Sequence, residues 1–160
     1  MGKFELIIEP GRQDIVIRRE FDAPRDVVFA AFMDPALIPN WWGPRRYSTI
    51  VDHMEPRAGG SWRFLNRDAD GKEFAFRGVF HTVNAPESLV QTFEFEPFPG
   101  HVSLDSATFV EHDGRTLMIS ASVFQSAEDR DQMVADGMEG GVRESYERLD
   151  DTLAEILARA

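Results

Sequence analysis

The stretch from Ser126 to Ala160 reads as an amphipathic helix that needs a long apolar surface to lie against. Its apolar residues are Met133, Met138, Val142, Tyr146, Leu149, Leu153 and Ile156. From Met138 onward they step by four or three, which keeps them on one face of a helix with 3.6 residues per turn. Ser126 can cap the first turn, and Glu128 and Asp129 suit the positive end of the helix dipole. Glu139 with Arg143, Glu144 with Arg148 and Glu155 with Arg159 are acid-first pairs at i,i+4 and predict a solvated opposite face. A continuous helix of about 30 residues would span roughly 45 Å. Gly137, Gly140 and Gly141 interrupt the pattern, each costing about 1 kcal/mol against alanine in a helix interior. They predict either a break into a short and a long helix, or a strip of bare backbone facing a sheet or cavity.

The rest of the chain is rich in strand-forming runs. Phe4 to Glu9 and Gln13 to Phe21, split by Pro10-Gly11-Arg12, predict a hairpin. Asp22-Ala23-Pro24 predicts a helix start with Asp22 as cap, and Val27, Val28, Ala31 and Phe32 give that helix an apolar face. Asp34-Pro35 stops it and opens a second short helix over Pro35 to Ile38. Ser48 to Met54, Ser61 to Arg67, Glu73 to Val83, Ser88 to Glu96, Val102 to Glu111 and Arg115 to Phe124 then read as strands. Their turns are short enough for hairpins, so an antiparallel meander follows. In a meander every turn switches ends. The start of the Ser48 strand, the turn at Asp68 to Gly71, the loop Pro97 to Gly100 and the start of the last helix therefore share one end with the Trp41-Trp42 loop.

Composition narrows the class of function. With 160 residues, 42% hydrophobic content and 13 Phe, the chain suits one domain, 1–160, with a sizeable core. The absence of cysteine excludes disulfides and thiolate chemistry. The start, Met1 to Leu6, lacks a signal-peptide apolar core, and no apolar run reaches membrane-spanning length, so a cytoplasmic location is expected. The net charge of -11 argues against nucleic acid and membrane as partners. His53, His81, His101 and His112 lack metal-ligand spacing, and Asp68-Ala69-Asp70-Gly71 lacks the later ligands of a calcium loop. No phosphate loop, nucleophile elbow or Cys/His pair is present. Neither a cofactor, a metal nor a catalytic set is expected.

The candidate binding residues are aromatics at alternate strand positions. Trp62 and Phe64 share a strand face, as do Phe76, Gly78 and Phe80, and Phe93 and Phe95. They can line a pocket, with Gly78 leaving room for a ligand, or form a plain aromatic core. Trp41 and Trp42 suit a lid at the mouth or two core anchors. Arg45 and Arg46 suit an anionic head group or a solvated loop. In the last strand Met118, Ser120, Ser122 and Phe124 face one way, and Leu117, Ile119, Ala121 and Val123 the other. Either face can be the inner one. Met138 and Val142 complete the candidate set from the helix. An enzyme would need a polar cluster inside the cavity, for which His81, Ser120 and Ser122 are the candidates.

The order hairpin, two short helices, antiparallel meander and long C-terminal helix resembles the helix-grip fold of the START and Bet v 1-like (SRPBCC) superfamily. Arg19-Glu20-Phe21-Asp22-Ala23-Pro24, Phe29, Asp34-Pro35 and Trp41-Trp42-Gly43-Pro44 resemble the signature of AHSA1-like proteins, those similar to the C-terminal domain of the Hsp90 ATPase activator. Gly59-Gly60-Ser61-Trp62-Arg63-Phe64, Asp70-Gly71, Phe76-Arg77-Gly78, and Gly137-Met138 with Gly141 and Leu149 continue the pattern. The resemblance implies an α+β fold in which a curved antiparallel sheet wraps a long C-terminal helix around an apolar cavity. The function expected from it is binding of a small apolar or amphipathic ligand between sheet and helix. A cyclase- or hydrolase-like enzyme is one alternative. The other is a co-chaperone-like domain with a chaperone partner, although the chain has no room for the activator's additional N-terminal domain. No catalytic set is carried over. Val142 stands where relatives often carry Trp or Met. The antiparallel edge of the N-terminal hairpin allows a homodimer.

Overall fold

In the computed structural model, which describes residues 2–160, the strand runs form one eight-stranded antiparallel sheet. Met1, part of the start read above for a signal sequence, lies outside the described residues. The strands are β1 (Phe4–Ile7), β2 (Asp14–Phe21), β3 (Ser48–Met54), β4 (Ser61–Arg67), β5 (Glu73–Asn84), β6 (Ser88–Phe95), β7 (Val102–His112) and β8 (Arg115–Val123). Their order is β1-β2-β8-β7-β6-β5-β4-β3. From β3 to β8 the strands pair as the meander that their short turns dictate. β2 joins the far side of β8, from Asp14 opposite Val123 to Phe21 opposite Thr116. Register shifts at Val51/His53 in β3 and Phe80/Thr82 in β5 mark bulges. Bulged strands bend and twist more strongly, which curves the sheet. Its inner face buries Ile15, Ile17 and Phe21 from β2, Trp62 and Phe64 from β4, and Met118 from β8. The inner face of the last strand is thus the one carrying Met118, Ser120 and Ser122.

The helices are α1 (Arg25–Met33), α2 (Ile38–Trp41), α3 (Ala127–Ala135) and α4 (Met138–Arg159). Two expected boundaries change. Asp22 does not cap α1; its carboxylate pairs with Arg115 at 2.6 Å. Pro24 takes the N-cap position with extended backbone, and Glu111 of the sheet accepts the Arg25 N–H at 2.7 Å. The second helix begins at Ile38 rather than Pro35. Residues 35–37 form a turn in which the N–H groups of Leu37 and Ile38 donate to the Asp34 carbonyl.

The C-terminal stretch is two helices. Ser126 caps α3 as expected, its hydroxyl accepting the Asp129 N–H at 3.0 Å. Gly137 then adopts φ +87°, a left-handed conformation that no right-handed helix can include, and α4 restarts behind it for 22 residues. A Cβ at Gly137 would meet nothing within 4 Å, and neither would one at Gly140 inside α4. The two sites therefore differ in backbone alone. Gly137→Ala is expected to cost about 1–2 kcal/mol. Gly140→Ala is expected to gain about 0.5–1 kcal/mol. Urea titrations of the two variants check the opposite signs.

α4 lies in the curve of the sheet with Leu149 and Leu153 buried and Ile156 half-buried. Asp150 of α4 binds the buried guanidinium of Arg19 on β2 through contacts of 3.0 and 2.7 Å. An inward-facing arginine needs a counter-charge, and the adjacent turn of α4 supplies it. On α3 the buried Arg130 donates to the carbonyls of Glu9 and Asp14, which ties that helix to the N-terminal hairpin.

Candidate functional site

Between the sheet and α4 lies a space of about 360 Å³. Its aromatic wall comes from alternate positions of three neighbouring strands: Trp62 and Phe64 of β4, Phe76 and Phe80 of β5, and Phe93 of β6. Trp62 and Phe64 have ring centroids 4.7 Å apart, and Phe76 and Phe93 5.6 Å. The loop after α2 adds two indoles with different roles. Trp41 is buried, and its Nε1 donates to the Ala31 carbonyl at 3.1 Å. Trp42 is half-buried and lies edge-on to Phe64 and Phe76, 5.1 Å from each.

Side chains of α4 hold this loop. The Ser145 hydroxyl accepts the Gly43 N–H at 3.1 Å and donates to the Trp41 carbonyl at 3.0 Å. Arg148 donates to the Gly43 carbonyl at 2.8 Å, and Glu144 accepts the Arg45 N–H at 2.9 Å. The expected Glu144–Arg148 pair is replaced by these loop contacts. The helix wall itself consists of Met138, Gly141, Val142 and Tyr146, with Met133 of α3 beside them.

The third wall is polar. Gln91 of β6, Asp105 of β7 and Ser122 of β8 stand directly opposite one another in register, with Ile15 of β2 next in the row. Ser103 donates to Asp105 at 3.0 Å. Ser120 lines the space one pleat away, beside Met118. Burial pushes the Asp105 carboxyl up to about 6, an effect that hydrogen bonds from Ser122 and Ser103 partly offset. Asp105 retains some accessible surface although protein surrounds it, so that surface faces the internal space. Burial, and then the charge of Asp105, raise the Tyr146 phenol well above its ordinary value, so it stays protonated.

The expected site residues Trp41, Trp42, Trp62, Phe64, Phe76, Phe80, Phe93, Met118, Ser120, Met138 and Val142 all line this space. Gly78 does not. A Cβ there would run into the Thr92 carbonyl and lie 2.5 Å from Trp62 Nε1, so the missing side chain makes way for the indole rather than for a ligand. His81 faces outward, with Nδ1 2.8 Å from the Thr82 hydroxyl, and contributes nothing to an internal polar cluster. Arg45 reaches Asp151 at 3.7 Å, and Arg46 lies over the Tyr47 ring. Neither arginine lines the space. Asp105 and Gln91 were not among the expected site residues. The signal for both was present: each interrupts an inward-facing apolar series, Ala107-Phe109 for Asp105 and Leu89-Phe93 for Gln91.

A curved antiparallel sheet gripping a long C-terminal helix, with short helices across the opening, is the helix-grip architecture of the START/Bet v 1-like superfamily. A profile of the family described as Activator of Hsp90 ATPase homolog 1-like protein matches residues 22–154, and the chain belongs to that family. Membership places it among ligand-binding or chaperone-related domains. No curated protein matches it. It is similar to a protein of Arthrobacter aurescens solved by NMR, with 28% identity, a TM-score of 0.87, and coverage of 94% of this chain and 91% of that one. A crystal structure from Rhodobacter sphaeroides shares 27% identity with a TM-score of 0.86 over 94% of this chain and 99% of that one. One from Mycobacterium smegmatis shares 25% identity with a TM-score of 0.85 over 96% and 97%. Among the described residues no helix is long and apolar enough to cross a membrane.

Proposed function

We propose that this protein encloses a small apolar or amphipathic molecule between the sheet and α4. The observation that carries this reading is the half-open space of about 360 Å³ between the sheet and α4, with walls that are mostly aromatic and aliphatic. Protein interiors normally pack without such gaps. The volume falls at the lower end of small-molecule sites. Removal of a guest's apolar surface from water would supply about 25 cal/mol per Å², and a few polar groups would fix its orientation.

A neutral apolar fluorophore, N-phenyl-1-naphthylamine, tests the enclosure. It is expected to bind with a rise in emission and to quench or shift the fluorescence of Trp42 and Trp62. At a hundredfold excess over its Kd it should stabilise by about 2.7 kcal/mol, a rise in Tm of roughly 5–10 °C. Val142→Trp should weaken that binding while leaving the empty protein as stable or more so. In a filled core the same change would cost roughly 1–3 kcal/mol by overpacking. A destabilised Val142→Trp variant, together with no response of the unaltered protein to the fluorophore, would overturn the enclosure and favour the chaperone-like, partner-binding reading of the family.

A further inference from the structure

The polar row described above contains a charge without a counter-charge. The other deeply placed ionic side chains are paired, Arg19 with Asp150 at 2.7 Å and Arg130 with Asp131 at 2.8 Å. Among the described residues Asp105 has only neutral partners, the hydroxyls of Ser103 and Ser122. A carboxylate can accept about four hydrogen bonds, so two of its positions are left over. Its neighbour across the ladder on the other side, Gln91, is neutral as well. Folding has therefore left one acidic group on the wall of an apolar space, where an unpaired charge is expensive. A guest that brings the missing cation would relieve that cost. An anionic guest such as a fatty acid would meet like charge there.

Accepting the enclosure proposed above, on which this rests, we infer that the guest is an amphipathic amine: an aromatic or aliphatic body against the β4–β6 aromatics and one ammonium group on Asp105, within the Gln91–Asp105–Ser122 row. The body fits the wall of Trp62, Phe76 and Phe93. Other charged or titratable groups facing Asp105 do not compete. The Tyr146 phenol of α4 is held neutral, and the Arg19 guanidinium of β2 beyond it is engaged by Asp150. Because Asp105 is raised to about 6 in the empty protein, it is mostly ionised at pH 7.5 and mostly neutral at pH 5.

Three matched probes test the assignment by isothermal titration: 2-(1-naphthyl)ethylamine, 2-(1-naphthyl)ethanol and 1-naphthylacetate. At pH 7.5 the amine is expected to bind at least about tenfold more tightly than the alcohol, with the carboxylate weakest. The preference for amine over alcohol should fall by about tenfold between pH 7.5 and pH 5, since the amine stays cationic throughout while Asp105 takes up a proton. In Asp105→Asn the amine-to-alcohol ratio should drop to near one. If that variant fails to fold, the pH dependence of the unaltered protein decides the matter. Equal binding of amine and alcohol, or a preference for the carboxylate, would overturn the amine assignment and leave the enclosure standing. Binding of none of the three would overturn both.

Discussion

Leu149→Ala is expected to lower the unfolding free energy by about 2–5 kcal/mol. Leu149 is 0% exposed on α4, the helix that packs against α1 and α2. Removing its isobutyl group forfeits the transfer free energy of the lost carbons and leaves a void that rigid neighbours cannot close. Leu149 belongs to the same buried core as Trp41, with Phe32 and Tyr146 packed against that core. For a chain of this size the loss corresponds to a fall in Tm on the order of 10 °C. Leu157→Ala is the control: that side chain is 38% exposed, and its loss should stay within about 1 kcal/mol. Both are read from urea titrations with unchanged m-values. A Leu149→Ala loss indistinguishable from zero would mean that α4 is not docked as described.

Much of this fold was legible because its signals are local. The 3–4 spacing from Met138 to Ile156 located α4, and Ser126 located the start of α3. Alternation and turn residues located β3 to β8 to within a residue at their ends. The placement of loops also followed from alternation: the Phe98 ring stacks on His101, and His101 meets Asp129 in the first turn of α3 at 2.9 Å. That puts the Pro97 to Gly100 loop and the start of α3 at the same end. The pairing of β2 with β8 was not legible, since Ile17 and Ser120 are brought together by closure of the whole sheet and not by any turn. Asp22 misled for a related reason. Its cap role was taken by Glu111, a residue far along the chain that no local pattern connects to Arg25.

The site was half legible. Aromatic residues at period two identify a wall by themselves, so the ring positions emerged from the sequence. Polar residues in the same wall are harder to read, because an isolated Asp in a strand usually marks the solvent face. Asp105 lies between Leu104 and Ser106, and Leu104, the more apolar position, is the one turned outward, 50% exposed. Facing had to be set by Ser103, Ala107 and Phe109 together. Gly78 shows the converse error. A glycine among aromatics suggests space, yet here an indole occupies it, and only three-dimensional packing separates those cases.

Asp105→Asn is expected to make the empty protein more stable at neutral pH. The carboxyl moves from its ordinary 3.8 up to about 6 in the folded protein, chiefly because burial disfavours its charged form. A carboxyl raised by folding binds its proton more tightly in the folded state. Its contribution to stability is therefore most favourable below pH 3.8 and is lost progressively as pH rises through 6. At 1.36 kcal/mol per pKa unit the full loss is on the order of 3 kcal/mol, and contact with the internal space reduces it to about 1–3 kcal/mol. The amide cannot ionise and escapes this loss, while still offering groups to Ser103 and Ser122. The variant should thus exceed the parent by about 1–3 kcal/mol at pH 7.5, with the difference shrinking toward zero near pH 3.5. Glu94, lowered by the Gly100 N–H and Arg77, and Glu96, lowered by Arg63, act in the opposite direction with pH. They are common to both proteins and cancel in the difference. Urea titrations of both at pH 7.5, 6 and 3.5 give the comparison. Curves that run parallel across that range would show that Asp105 is solvated like a surface acid. A gap that opens with pH would show a carboxylate kept at a cost in stability, as functional sites commonly are.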